Sequence, residues 1–433
     1  MRISLRTFII AAICFASRAG AMTLHECLIY AREHAHTNVV ATLEMEEARL
    51  EARISASSLM PSLSLATSGN MSFGRNIDPE TNTYDNKKTL SQSFGLQISL
   101  PLFDGLVSIN NLKAARAAKR QRTDAAAESR DIISLNVIRA FYNVSYCRAM
   151  VTQMEEQLER DLRNLAATQR GETLGTRSGA DTAEMRAMVA AAEYELANQR
   201  SLLAKAYLTL RSEMGMTLSA EPMELEEDSV AAPAPGADEA FVHPRVAQAQ
   251  WAVTEGRYQL RAARGAFSPR IYLSAGVSTS YYRMVGAEVV APDFSRQWHD
   301  NMGQYVGFSV TIPIFTGLSN VNRVKRASVE LRRRKVLLEK AIYDTAREDA
   351  EAALDLANAE TELVSARARL EAETVAFNAV QRKFELGAVS AIDLYTASAR
   401  LATARADMEG KRIQRIINGI VADYYRGVPL IRQ

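Results

Sequence analysis

Between Gly105 and Gly171 the chain runs 65 residues without a glycine or proline, and between Gly317 and Gly387 it runs 69, although these two residue types together number 32 in 433. At about 1.5 Å per residue, an unbroken helix of that length extends roughly 100 Å, far beyond the usual globular helix of about 11 residues. No ordinary core can cover such a helix, so it needs partner helices along its length. The second span shows the partner pattern: Leu356, Leu363, Leu370, Phe377 and Phe384 recur every seven residues, with Ala359, Ala366 and Val380 three positions on. That is a heptad seam, and its 3.5-residue period implies left-handed supercoiling. The first span carries Val151, Met154, Leu158, Leu162 and Leu165 at spacings of three and four.

The two spans are copies. "SLPLFDGLVSINNLKAARAA" (99–118) returns 212 residues later as "TIPIFTGLSNVNRVKRASVE" (311–330), with Pro101 on Pro313, Gly105 on Gly317 and Lys113 on Lys325. Each span ends at a matching turn, "ETLGTRSGAD" from Glu172 and "FELGAVSAID" from Phe384, and an Ala-rich helix follows, so each span opens an antiparallel helical hairpin. Ahead of each strand pair lies a further helical stretch, 24–57 and 245–266, aligned through Arg49 with Arg257 and Pro61 with Pro269.

Before each span the period changes from helical to two. Leu63, Leu65, Thr67, Gly69, Met71 and Phe73 alternate with small or polar residues, as do Phe94, Leu96, Ile98, Leu100 and Leu102. In the second half Ile271, Leu273, Ala275 and Val277, then Val306, Phe308, Val310, Ile312 and Ile314, do the same. These are four strands of about 10 residues, apolar on one face. Polar loops, 74–93 and 284–303, join each pair.

The predicted organisation is a signal peptide over 1–21 and a first repeat over 22–214, with a β-hairpin 62–103, a long helix 106–171 and a return helix 179–214. A connector over 215–242 leads to a second repeat over 243–433, with a β-hairpin 270–315, a long helix 318–385 and a return helix 391–425. The signal reads from Arg2 and Arg6, the apolar run Phe8 to Phe15 and Ala19-Gly20-Ala21. Cys14 lacks the small residue directly before it that a lipid-anchor site requires, so no acyl anchor is expected. From Met22 onward the chain carries 49 basic and 50 acidic residues, a balance that points away from nucleic acid. Cys27 and Cys147 lie far apart within helical patterns, which excludes a disulfide-stapled fold.

Strands of this length with one apolar face match a transmembrane β-strand, although a soluble sheet packed on a helix alternates in the same way. Their place at one end of very long helices in an exported chain favours the membrane. Four strands cannot close a barrel, and an open edge in lipid leaves backbone groups unsatisfied at several kcal/mol each. Two to four copies sharing strands would close one, and three would make 12 strands.

The duplicated helix, hairpin, helix plan, the P-[LI]-F-x-G-L strand exits at Pro101 and Pro313, and the L-G-x-x-S turns at Leu174 and Leu386 followed by "AIDLYTASARL" resemble the TolC-like outer-membrane efflux proteins. The resemblance covers nearly all of the chain after the signal. It implies an α+β membrane protein: a homotrimer whose long α-helical hairpins form a periplasmic tunnel, and whose four transmembrane β-strands per chain share a 12-stranded β-barrel. It further implies a mixed equatorial belt, to which the connector belongs, and service as the gated, passive exit duct of a tripartite efflux or type I secretion system. The implied partners are a periplasmic adaptor, an inner-membrane transporter and outer-membrane lipid. The implied location is the outer membrane, with extension into the periplasm.

For the site, the resemblance puts acidic residues at the periplasmic gate, here Asp181 and Asp393. The family's aromatic and basic partners on the second turn fall on Phe384 and Val389, while a basic residue, Arg177, stands on the first; Arg177 is expected to join the closing contacts. Ser178 and Ser390 with these aspartates also read as helix capping boxes. The exposed turns Leu174-Gly175 and Leu386-Gly387, with Ser178 and Ser390, are the expected adaptor-docking tips, and both glycines read as helix-ending residues. Pro101, Gly105, Pro313 and Gly317 mark strand-to-helix junctions.

Lys113, Arg116, Lys119, Arg120 and Arg122, and Arg323, Lys325, Arg326 and Arg332 to Lys335, cluster just past the strands, which suits either a solvated face or contact with lipid headgroups. His34-x-His36 places its side chains about 200° apart on a helix, so no metal site is expected. No cofactor or catalytic constellation is predicted. Two other functions fit parts of the pattern: a periplasmic coiled-coil adaptor or scaffold, which needs no lipid-facing strands, and a stand-alone porin, which leaves the helices unexplained.

Overall fold

A computed structural model of the chain describes residues 21–77, 83–86, 88–226, 241–285 and 293–430. The expected signal lies outside these apart from Ala21, as do half of the connector and parts of both strand loops. In chain order the elements are β1 (Met22–Thr23), α1 (Leu24–His34), α2 (His36–Ser57), β2 (Ser62–Ser72), β3 (Arg75–Ile77), β4 (Tyr84–Asn86), β5 (Lys88–Phe103), α3 (Val107–Thr173) and α4 (Gly179–Met214). They continue as β6 (Leu225–Glu226), α5 (Pro244–Gly265), β7 (Arg270–Val285), α6 (Phe294–Asp300), β8 (Gly303–Thr311), α7 (Ser319–Glu385) and α8 (Ala391–Tyr425). The described residues divide into two compact units, one from Met1–Leu43, Asp124–Ala247 and Ala341–Gln433, the other from Glu44–Thr123 and Gln248–Lys340. Helices α3 and α7, 67 residues each, contribute to both.

The second unit holds a four-stranded antiparallel sheet in the order β2-β5-β7-β8, so the two repeats join through β5 and β7. Paired residues of antiparallel neighbours share a face. The register stacks Leu65, Leu96, Val277 and Gln304 in one row, Leu63, Ile98, Ala275 and Val306 in the next, and Leu100, Leu273 and Phe308 in a third. All four apolar alternations therefore fall on one face. The other face is Ser, Gly, Gln and Tyr, laced by hydroxyl pairs such as Ser68 with Ser93 at 2.7 Å and Ser72 with Thr89 at 2.9 Å. On the apolar face Leu65 is 74% and Phe308 75% exposed, and the edge strands β2 and β8 have no outer partner among the described residues.

Several details depart from the sequence reading. The strand expected to reach Ile314 stops at Thr311, which pairs with Arg270, the first residue of β7. Beyond that point there is no strand to bond, and Pro313 has no N–H to offer. In the other repeat β5 absorbs Pro101 with a register shift before Phe103. The loop expected over 284–303 contains α6, whose Gln297 side chain accepts from the Tyr282 backbone N–H and donates to its carbonyl, both at 2.9 Å. That amide replaces a strand partner above the shorter β8. The loop expected over 74–93 likewise contains the β3–β4 pair and the start of β5.

Each strand-to-helix junction uses two consecutive left-handed residues, Gly105 and Leu106 (φ 72° and 62°) and Gly317 and Leu318 (φ 57° and 63°). Such a φ costs a leucine about 1–2 kcal/mol, so the surroundings hold it. At the first junction a Cβ on Gly105 would lie 2.2 Å from the Gly265 carbonyl oxygen, so only glycine allows that backbone approach.

In the other unit one core gathers Cys27, Leu28, Val137, Phe141, Leu210 and Met214, beside the parallel β1–β6 pair, whose second strand lies inside the expected connector. The helix expected over 24–57 breaks at Ala35 (φ −59°, ψ 126°), where the buried Asn38 amide donates to the Ala31 carbonyl and Gly215, the left-handed cap of α4, presses on His34. Cys27 and Cys147 are free thiols whose burial pushes both up, Cys27 to about 12. A second core, at the hairpin turns, contains Met185, Met188, Phe377, Phe384, Ala391, Leu394 and Leu401.

Candidate functional site

The two hairpin turns repeat one set of backbone bonds. At the end of α3, Gly175 takes φ 75°, its N–H donates to the Glu172 carbonyl at 3.0 Å, and the Thr176 N–H reaches the Gly171 carbonyl at 2.8 Å. At the end of α7, Gly387 takes φ 76°, and Gly387 and Ala388 donate to Phe384 and Lys383 at 2.9 and 2.8 Å. Both are the doubly bonded left-handed terminus that satisfies the last helical carbonyls. Three residues later each chain restarts with a complete capping box. Ser178 Oγ accepts from the Asp181 N–H and Asp181 Oδ2 from the Ser178 N–H, both at 3.1 Å; Ser390 and Asp393 do the same at 3.2 and 3.1 Å. Hydrogen bonds from Ser390 hold the exposed Asp393 carboxyl below the usual carboxylate range. Leu174 and Leu386 project from the turns, each 79% exposed.

Arg177 joins the two hairpins. Its guanidinium lies 4.6 Å from the centroid of the Phe384 ring and donates to the Phe384 carbonyl oxygen. Phe384 itself is buried, 3% exposed, in the tip core, so its ring serves as a platform for Arg177 and is not presented to solvent. Gly171 makes room for this arm, since a Cβ there would lie 2.7 Å from Arg177 Cγ. The sequence reading missed Gly171; its place four residues before the turn glycine was the available signal.

Beside the turns, Ala187, Met188, Ala191, Ile392 and Tyr395 line an open, mostly apolar groove of about 280 Å³ between α4 and α8. Further along, α3 is tied to its neighbours by polar side chains. Asn164 and Gln381 exchange amide hydrogen bonds at 3.4 and 3.1 Å, and Gln153 donates to the Ala402 carbonyl at 3.0 Å. Asp161, 4% exposed, is pushed up to about 6 by burial. Arg245, in the first turn of α5, bonds Glu128 on α3 at 2.9 Å and Glu348 on α7 at 2.8 Å, while Tyr425 donates to Glu348 at 3.0 Å. Single charges within Ala-rich helices gave no sequence signal for this clasp. His34 and His36 fall in different helices on either side of the break, and among the described residues no group of His, Cys, Asp and Glu can hold a metal ion.

A sheet with one apolar face and two open edges, continued by helical hairpins of this length, defines the protomer of an outer-membrane channel whose barrel is pooled among copies. The family model described as "Outer membrane efflux protein" matches residues 30–216 and 242–418, one match per repeat, and the chain belongs to that family. The cation efflux system protein CusC of Escherichia coli strain K12 is 24% identical over 363 residues, covering 81% of this chain and 74% of the relative. A crystal structure of CusC superposes with a TM-score of 0.80 at 20% identity, covering 94% of this chain and 92% of that one. VceC from Vibrio cholerae superposes with a TM-score of 0.78 at 14% identity, covering 94% and 96%. The chain is thus an outer-membrane efflux channel subunit of the TolC-like kind, trimeric, extending into the periplasm and working with an adaptor and an inner-membrane pump. The adaptor alternative is set aside, and the relatives are channel proteins.

Proposed function

We propose that the trimer is a passive duct, without catalysis of its own, closed at its periplasmic tip by contacts that centre on Arg177, with Asp181 and Asp393 supplying charge around the axis. The observation that carries this reading is the contact of Arg177, from the first repeat's turn, with Phe384, at the end of the second repeat's long helix. A hairpin that swings away from its neighbour must break that contact first. The aspartates keep their capping role, and three copies of each around a narrow axis repel one another and attract cations.

Docking of the adaptor falls to the tips, Leu174, Gly175 and Ser178 with Leu386, Gly387 and Ser390. Two exposed leucines on rigid glycine-closed turns offer apolar anchors that a solvated turn has no use for. The junction residues Pro101, Gly105, Pro313 and Gly317 redirect each barrel strand into a tunnel helix. The test is single-channel conductance of the purified trimer in planar bilayers. Arg177→Ala is expected to raise conductance and the open fraction; unchanged conductance together with unchanged drug sensitivity of the host would remove Arg177 from the gate.

A further inference from the structure

We propose that the first turns of α3 and α7 form a basic collar that binds the phosphate headgroups of anionic lipid in the inner leaflet of the outer membrane. From Val107 to Thr123 there are five basic residues and no acidic one, and from Ser319 to Lys335 seven against Glu330 alone. These two stretches carry a net +11 in a chain whose total from Met22 onward is −1. The charge is concentrated where the membrane-facing surface ends.

Exposure along the second junction runs in order. Past β8 come Ile314 (95% exposed), Phe315 and Leu318, all apolar and open, and then Arg323, Lys325 and Arg326. At 1.5 Å per residue these cations begin about 7 Å beyond Leu318, within the depth of a headgroup layer. The first junction repeats the order with exposed Leu102, Leu106 and Ile109, followed by Lys113 and Arg116.

Carboxylate partners first appear further from the sheet, at Arg122, Arg333 and Arg334, while Arg120, Arg332 and Lys335 have none among the described residues. Arg116, Arg323, Lys325 and Arg326 are exposed and have no carboxylate partner among the described residues, and Lys113 lies over the Tyr258 ring. Further along the same helices Arg122 pairs with Glu44 and Arg334 with Glu255. Long cationic arms left unneutralised directly below an apolar band match an anionic lipid surface, where each contributes about 1 kcal/mol, a factor of about fivefold in affinity.

The test is lipid retention by the full trimer in nanodiscs of phosphatidylcholine mixed with phosphatidylglycerol, read by native mass spectrometry. The wild type is expected to retain phosphatidylglycerol over phosphatidylcholine, to lose that preference at high salt, and to keep it when inorganic phosphate replaces chloride at constant low ionic strength. R323Q/R326Q is expected to lower the preference about fivefold per charge removed, while R367Q/R400Q, which removes two exposed charges from the other compact unit, leaves it unchanged. Equal retention by the collar variant and the wild type overturns the proposal. So does a variant that alters cation-to-anion selectivity in planar bilayers without altering lipid retention, because its charges then face the lumen. If the variant does not fold, the salt titration of the wild type decides: a preference absent at low salt, or indifferent to salt, overturns the proposal.

Discussion

The two hairpin turns share a left-handed glycine and a capping box, and they differ at the residue before the capping serine, where the first turn reaches the other hairpin. Both end their first helix on a left-handed glycine and restart on a Ser–Asp capping box, yet the residue before the capping serine is Arg177 in the first repeat and Val389 in the second. The first turn therefore reaches the other hairpin through a cation, whereas Val389 packs into the apolar tip core that both hairpins share. Duplication supplied two ends of one backbone design, and Arg177 against Val389 is the difference that places a cation between the hairpins. On the proposed reading, what can be exchanged between the turns is the shape offered to the adaptor, and what cannot is the Arg177 contact.

The largest expected effect tests the shared part. Gly175→Val and Gly387→Val each force a β-branched residue into a left-handed turn, and each is expected to abolish co-purification with the adaptor. If one of them leaves the complex intact, the two tips are not equivalent in docking. Next comes the unequal part. A cation–π contact plus a charged hydrogen bond is worth about 2 kcal/mol, so Arg177→Ala should lower the ratio of closed to open channels more than about tenfold, whereas Val389→Ala should not alter conductance. Adding Val389→Arg to Arg177→Ala without any recovery would show that the latch depends on which turn carries it.

A smaller effect concerns Asp161, buried on α3. Its folded value of about 6 lies above that of an unfolded aspartate, so folding takes up a proton and the native state loses stability as pH rises from about 4 to about 6. Asp161→Asn is expected to raise the melting temperature at pH 7.5, with the gain shrinking as pH falls through that window. Smallest are the caps. Ser178→Ala should cost about 1 kcal/mol in a thermal melt, with a loss of the same sign for Ser390→Ala. Because Asp393 is held below the usual carboxylate range, the contribution of the second cap should fade as pH falls through that low value. A second cap indifferent to acid would falsify the charged role of Asp393.

Much of this was legible in the residues because it rests on period and absence. The missing glycines and prolines, the alternation from Leu63 and the heptads from Leu356 are local signals, and the fold class follows from them. What stayed hidden depends on pairs distant in sequence. The break at Ala35 is filled by Asn38 and pressed by Gly215; the clasp at Arg245 needs Glu128 and Glu348; β1 finds its partner two hundred residues away. At the site, Phe384 looked like a member of the gate in its own right, but the heptad seam that marks it also buries it, so its part is to carry Arg177. Gly171 carried only its spacing from the turn glycine as a signal, because its use is the empty space it leaves.

The bare margins of the sheet, β2 on one side and β8 on the other, also govern what happens in a cell that makes both sound and damaged copies. Every subunit must offer its neighbours both margins, so one copy with a spoiled rim ruins the ring it enters. With equal synthesis of the two forms and random mixing, roughly one ring in eight escapes. A defect confined to one margin should therefore behave as a dominant poison, whereas a lesion that keeps the chain from inserting at all should be silently recessive.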